Sequence, residues 1–258
     1  MREPDKLLSD FTEMNRHVLG EKLCGVYLHG SLAMGCFDPE KSDIDLIVVG
    51  RSEMTDNEKT RLIRETAVLN AEAPPKGLEV SWVGLDVCRH FVYPTPFELH
   101  FSPMHIAWFF RDPDDYVKHM NGVDKDLAAH FTVISKYGKA LFGEPVSEVF
   151  GKIPREAYID SVMSDISGAE TEVHDDPVYV ILNLCRTLAF FGTGEVMSKK
   201  DGGEWALRNL SAYASLISRT LGRYSGGAGY VQEMSDEAAF VSFALGRISD
   251  HVRSDKQL

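Results

Sequence analysis

Cysteine is scarce in this chain, and its few cysteines are not spaced for metal binding. The four cysteines among 258 residues, Cys24, Cys36, Cys88 and Cys185, form no C-x-x-C pair and stand in apolar surroundings. Closely spaced pairs are typical of structural zinc sites and of redox motifs. We therefore predict no zinc site and four reduced thiols that pack as small apolar side chains.

Long apolar runs and an excess of positive charge are also missing. No apolar run approaches the roughly 20 residues that a membrane-spanning helix needs, and the first residues contain no apolar signal region. We therefore expect a cytoplasmic protein with no membrane partner. The formal net charge of −12 repels nucleic acid and attracts cations, so we expect no nucleic-acid partner and favour a small cationic one.

The most informative stretch is a turn followed by two closely spaced aspartates. A short apolar strand leads into Gly30 and Ser31, and Ser31 begins a short helix whose free backbone N–H groups can hold phosphate. Residues 43–49 form the next strand, and because side chains alternate along a strand, Asp43 and Asp45 point to the same face. Adjacent carboxylates repel each other unless a cation lies between them. Mg²⁺ is such a cation, and proteins usually hold it with one or two carboxylates. The stretch predicts a phosphate-binding turn beside a Mg²⁺ site, the alternative being a chance turn with two surface aspartates.

A third carboxylate stands in the next predicted strand. Residues 78–83 alternate, with Glu79 and Ser81 on one face and apolar side chains on the other. A glutamate between Leu78 and Val80 suggests a further ligand aimed at the metal site. The alternative is a solvent-facing glutamate on an edge strand.

These motifs resemble a known enzyme family. The pattern G-S-x-x-x-G followed by S-D-x-D, which begins at Gly30 and ends at Asp45, is similar to the signature of polymerase-beta-like nucleotidyltransferases. Residues 78–80, 93–94 and 97–99 are similar to the aminoglycoside adenylyltransferases that modify streptomycin and spectinomycin. The resemblance implies ATP as co-substrate and two Mg²⁺ ions held by the three carboxylates. It also places Gly30, Ser31 and Ser42 at the nucleotide and makes Glu79 the general base.

The second half of the chain predicts a separate helical domain. Glycine, proline and serine become frequent over residues 144–154, and the remainder has helical periodicity. We predict an α/β (α+β) fold, with a nucleotidyltransferase domain containing a mixed sheet over residues 1–150 and a helical bundle over residues 151–258. Helices are expected over residues 4–19, 56–69, 124–141, 154–172, 177–192, 199–210, 212–223 and 235–252, strands over residues 25–28, 43–49 and 78–83, and a loop over residues 94–103 that leads into a further helix.

Residues 183–188, 193–194, 198–199 and 204–206 resemble the second-domain signature of the same family. By this resemblance Arg186 and Lys199 neutralise the triphosphate, Tyr224 lies by the adenine and Asp126 contacts the nucleotide. Arginine and lysine would stabilise the charge that builds on a leaving pyrophosphate. Alternatively, Lys199 is a solvated lysine without a ligand, and Asp126 is simply a first-turn carboxylate that the helix dipole stabilises.

The acceptor is assigned by resemblance alone. In the family an aspartate matching Asp176 binds the cationic groups of the drug, and Glu172 and Tyr179 are placed beside it, although an acidic cluster can also be a solvated loop. Near Met104, streptomycin-modifying members carry a tryptophan that this chain lacks, which leaves spectinomycin or another acceptor open. We expect a monomeric enzyme that adenylylates such an antibiotic and confers resistance. The alternatives are an enzyme that modifies a protein or another acceptor, and a non-catalytic nucleotide sensor.

Overall fold

The computed structural model describes residues 3–227 and 233–255. The chain divides into two compact units, one ending at Tyr158 and the other beginning at Ile159. The boundary predicted from composition, between residues 150 and 151, lies a few residues before this division. The first unit contains all the strands of the described part of the chain, and the second contains only helices and loops.

The first unit is built on a mixed sheet. Its strands are β1 (Leu23–Leu28), β2 (Ile44–Gly50), β3 (Leu78–Gly84), β4 (Thr95–Phe97), β5 (Leu99–Phe101), β6 (Gly122–Asp124) and β7 (Lys139–Gly143). Five of them form one sheet in the order β5-β3-β2-β1-β7, and β4 pairs with β6 separately. β2 and β3 run parallel, whereas β1 is antiparallel to both of its neighbours and β5 is antiparallel to β3. This confirms the predicted mixed sheet.

Helices surround this sheet and connect its strands. They are α1 (Pro4–Leu19), α2 (Gly30–Ala33), α3 (Asp56–Asn70), α4 (Leu85–Arg89), α5 (Ile106–Arg111), α6 (Pro113–His119), α7 (Leu127–Tyr137) and α8 (Val146–Val149). The start of α3 follows from its sequence, because Thr55 Oγ1 accepts from the backbone N–H of Glu58 and the Glu58 carboxylate accepts from the N–H of Thr55. This reciprocal capping box confirms the helix start that the sequence predicts.

Apolar side chains cover both faces of the sheet. One buried cluster contains Leu46, Val48, Val80 and Trp82 together with residues of α1 and α3. The other contains Ile47, Val49 and Val83 together with residues of α7. Since side chains alternate along a strand, Asp45 and Glu79 share the face that α7 covers. The alternation therefore sends the carboxylates to one side of the sheet and the large aromatic side chain to the other.

Two predictions in the first unit were wrong. The helix expected over residues 124–141 ends at Tyr137, and Lys139–Gly143 instead forms β7 and pairs with β1. The expected loop over residues 94–103 contains β4 and β5. The strands β4, β5 and β7 are short, and the strands with which they pair are distant in sequence, so local periodicity does not reveal them.

The second unit is a helical bundle. Its helices are α9 (Arg155–Asp165), whose first turn precedes the division, α10 (Ala169–Glu172), α11 (Pro177–Thr193), α12 (Lys199–Asn209), α13 (Ala214–Tyr224) and α14 (Met234–Asp255). The single helix expected over residues 154–172 is therefore two helices, interrupted at residues 166–168. The predicted caps are present, because Asp176 accepts from the N–H of Tyr179 and Ser198 from the N–H of Asp201. Across the described ranges, no helix is both long enough and apolar enough to cross a membrane.

Candidate active site

The turn between β1 and α2 forms one side of the candidate site. Gly30 has a φ of 62°, in the left-handed region that glycine adopts without strain. A Cβ atom at this position would overlap the carboxylate of Asp45. The neighbouring Ser31 Oγ is buried and has no hydrogen-bond partner among the described residues. Glycine is thus required for the backbone to approach Asp45, and the serine hydroxyl is available to a ligand.

Three carboxylates meet beside this turn. Asp45 and Glu79 lie opposite each other in the parallel pairing of β2 with β3, and Asp43 stands just before β2. Each offers one oxygen, and these oxygens all lie within 4.8 Å of one another. The backbone fixes this edge, because the N–H of His29 donates to the carbonyl of Asp45 over 3.0 Å. An all-oxygen donor set of this kind fits a hard divalent cation such as Mg²⁺.

The pKa of Glu79 is raised by its burial and by the neighbouring carboxylates. Burial raises the pKa of Glu79 from 4.5 to about 7; His130 opposes this, while the charges of Asp45, Asp43 and Asp124 add to it. A carboxyl group with a pKa near neutrality exchanges a proton readily at physiological pH. A cation bound among the three carboxylates would favour their ionised forms.

Histidines that the sequence reasoning missed line the same face. His29 is buried between β1 and α2, and its ring centroid lies 4.9 Å from that of His130 on α7. Burial, followed by the charge of His130, lowers the pKa of His29 well below its usual range. His100 Nδ1 lies 3.0 Å from Ser81 Oγ, and burial lowers the pKa of His100 to about 4.

Only His29 carried a signal in the sequence, since it directly precedes the Gly30 turn. His100 is placed by the pairing of β5 with β3, and His130 by the packing of α7. Neither contact follows from local sequence. Because burial lowers the pKa values of His29 and His100, both side chains are neutral at pH 7.

Two other residues predicted at the nucleotide have structural contacts. Ser42 Oγ accepts from the N–H of Asp38 over 3.1 Å, and the N–H of Ser42 donates to the carbonyl of Asp38. Ser42 thus closes the loop before β2. Asp126 precedes α7, and its N–H donates to Asp124 Oδ1 over 2.9 Å. Their contacts to a nucleotide stay predictions.

The helical unit contains the remaining predicted residues. Glu172 and Tyr179 border a small surface depression that Asp165 and Asn183 also line, and Asp176 caps α11. Arg186 lies on α11, and Lys199 opens α12 with its ammonium group 4.3 Å from the centre of the Tyr179 ring. Tyr224 is the last residue of α13. The structure therefore groups Tyr179 with Lys199 and leaves the ligand roles of this set as predictions.

Family models match both units of the chain. Residues 13–77 match a model described as "Nucleotidyltransferase domain", and residues 148–248 match one described as "Aminoglycoside adenylyltransferase, C-terminal domain". The first match includes the turn at Gly30 together with Asp43 and Asp45. The second covers most of the helical unit.

Curated relatives and a solved structure agree with these models. A spectinomycin 9-adenylyltransferase of Staphylococcus aureus is 26% identical over 200 residues, 74% of each chain. An aminoglycoside (3'') (9) adenylyltransferase of Rhizobium radiobacter is 25% identical over 179 residues, 66% of this chain and 64% of the relative. The crystal structure of spectinomycin adenyltransferase AAD(9) from Enterococcus faecialis, solved with ATP and spectinomycin, shares the fold with a TM-score of 0.79 at 18% identity. That match covers 96% of this chain and all of the other. The matches show that the chain is a nucleotidyltransferase whose second half matches the C-terminal domain of aminoglycoside adenylyltransferases.

Proposed function

We propose that this enzyme transfers AMP from ATP to a hydroxyl group of an aminoglycoside or aminocyclitol antibiotic, and that it confers resistance in this way. The observation that carries the proposal is the cluster of Asp43, Asp45 and Glu79 beside the Gly30 turn. Spectinomycin is the first acceptor to test, because two of the relatives described above carry its name. Streptomycin is a weaker candidate, since Met104 stands, 78% exposed, where a packing tryptophan would be expected.

The residues around the turn fit ATP and a divalent cation. The buried Ser31 hydroxyl and the backbone N–H groups of α2 can donate to phosphate oxygens. Asp43, Asp45 and Glu79 would hold Mg²⁺, which when bound supplies charge neutralisation across the triphosphate. We propose two Mg²⁺ ions at this site, which is the number that the family resemblance implies.

Glu79 is the proposed general base. It accepts the proton of the acceptor hydroxyl at a carboxylate oxygen while that hydroxyl attacks the α-phosphorus, and pyrophosphate leaves on the opposite side. The sheet pairing fixes Glu79 opposite Asp45, so the proton acceptor is held at the edge where the phosphate turn lies. Its orientation therefore costs little reorganisation during reaction.

The helical unit supplies the cationic and acceptor-binding groups in this proposal. Arg186 and Lys199 bind the triphosphate, and Asp176, Glu172 and Tyr179 bind the cationic drug. This division follows charge, because phosphate requires cations and an aminocyclitol carries ammonium groups that require carboxylates. The overall charge of −12 favours a cationic acceptor over a nucleic acid.

A mass-spectrometric assay tests the proposal. Purified protein is incubated with ATP, Mg²⁺ and, separately, spectinomycin, streptomycin and other aminoglycosides. We expect an AMP adduct on one drug, and its loss in the Asp45→Asn variant. Asp56→Asn, at an exposed position in the first turn of α3, is the matched control and should form the adduct normally. Tight ATP binding without an adduct on any drug would refute the acceptor assignment.

A further inference from the structure

Asp165 stands at an unfavourable position for its charge. It is the last residue of α9, where the partial negative charge of the helix end disfavours a carboxylate. The side chain is 28% exposed and lies in the helical unit. A locally unfavourable residue of this kind is expected where the tertiary structure uses it.

The carboxylate of Asp165 collects donors from one face of α11. Asn183 Nδ2 donates to Asp165 Oδ2 over 2.6 Å, and a terminal nitrogen of Arg186 lies 3.5 Å from the same oxygen. The Tyr179 hydroxyl donates to Asp165 Oδ1 over 3.1 Å. The three partners are spaced four and three residues apart, so they share one helix face. Asp165 thus links three side chains of α11 to one carboxylate.

Arg186 is held at two points by this network. Its Nε donates to Asn183 Oδ1 over 2.6 Å, and Asn183 is itself buried and fixed by Asp165. The second point is the contact with Asp165 Oδ2. A guanidinium group has five N–H donors in a rigid plane, so holding one side orients the other donors for a ligand.

Lys199 is fixed to the same group through an aromatic ring. Its ammonium group lies 4.3 Å from the centre of the Tyr179 ring, and the hydroxyl of that ring is bound to Asp165. The backbone supports the arrangement, because a Cβ atom at Gly202 on α12 would lie 2.5 Å from Cα of Arg186 on α11. The two helices therefore approach closely, and both cations are held relative to Asp165.

We propose that Asp165 is a positioning residue, which orients Arg186 directly and Lys199 through Tyr179 for binding the polyphosphate of a nucleoside triphosphate. This rests on the proposed function, in which those two cations bind the triphosphate. In this proposal Asp165 acts through Arg186, Asn183 and Tyr179, with which it forms the contacts described above. Its effect should therefore depend on the number of phosphates in the ligand.

Calorimetric titration of the full chain with ATP and with AMP, each with Mg²⁺, tests this. Loss of a charged hydrogen-bond partner corresponds to about tenfold in affinity, so Asp165→Asn should raise the Kd of ATP by about that factor. The Kd of AMP should change less than about twofold, because AMP lacks the phosphates that the two cations are proposed to bind. Asp165→Glu, which retains the charge, should restore part of the ATP affinity. Asp250→Asn, which removes an exposed carboxylate paired with Arg253, is the matched control and should bind both nucleotides normally.

Three outcomes would overturn the inference. Equal weakening of ATP and AMP would mean that Asp165 only supports the fold. An unchanged Kd of ATP with a raised KM for spectinomycin would make Asp165 a contact of the acceptor. Unchanged ATP binding in the Arg186→Ala variant would contradict the premise that Arg186 binds the triphosphate. Selective loss of ATP affinity in Asp165→Asn would support the positioning role even if the wild-type enzyme modified no drug, so failure of the acceptor assignment is distinguishable.

Discussion

Replacing Glu79 by glutamine removes a strongly perturbed carboxyl group from the carboxylate cluster, and we expect this change to alter how stability depends on pH. In the cation-free protein the pKa of Glu79 is raised from 4.5 to about 7, chiefly by burial. Between these two values the folded state binds more protons at this group than the unfolded state does. The free energy of unfolding of the wild type must therefore fall as pH rises through that window.

The size of the effect follows from the pKa. A rise from 4.5 to about 7 corresponds to about 3 kcal/mol, at about 1.4 kcal/mol per pKa unit. The glutamine variant lacks this titration. Between pH 5 and pH 8 its free energy of unfolding should therefore rise by about 2.5 kcal/mol relative to that of the wild type. The remainder of the change lies below pH 5. Histidines such as His29 and His100 are present in both proteins, so their own contribution largely cancels in the difference between the two curves.

Urea unfolding of both proteins in the presence of a chelator, from pH 5 to pH 8, measures this difference. Glu40→Gln, which removes an exposed carboxylate outside the cluster, is the matched control and should stay parallel to the wild type. Adding Mg²⁺ at pH 8 should stabilise the wild type more than Glu79→Gln, because the cation favours ionised ligands. Parallel curves for the wild type and Glu79→Gln without Mg²⁺ would refute the electrostatic reasoning.

Two further substitutions test the turn and the core. Gly30→Ala places a side chain at positive φ against the Asp45 carboxylate, so it should lower the free energy of unfolding by about 1 to 3 kcal/mol and abolish AMP transfer, measured by urea unfolding and mass spectrometry. Normal transfer would contradict the close approach. Trp82→Phe leaves the buried Asn15 Oδ1 without the indole donor that lies 2.9 Å away, which should cost about 1 to 3 kcal/mol of stability by the same unfolding assay. A loss below about 0.5 kcal/mol would mean that another donor replaces the indole.

Much of the fold could be predicted from local sequence. Pro4 and Gly20 bound α1, the capping box at Thr55 starts α3, and Asp176 and Ser198 start α11 and α12. These signals are short-range hydrogen bonds and backbone preferences, so a single sequence contains them. The strands β5 and β7 were missed because their stability comes from pairing with β3 and β1, which are distant in the chain.

Local motifs were sufficient to predict a nucleotidyltransferase, the mixed α/β fold with a helical unit, and the candidate carboxylates Asp43, Asp45 and Glu79, because the spacing of a motif is visible in the sequence alone. The register of Glu79 with Asp45, and the presence of His130 and Asp124 in its electrostatic environment, follow from the packed fold and not from local sequence. Burial and charge depend on which distant segments pack together. For the same reason, the position of Asp165 against α11 could be recognised only once the helices were assembled.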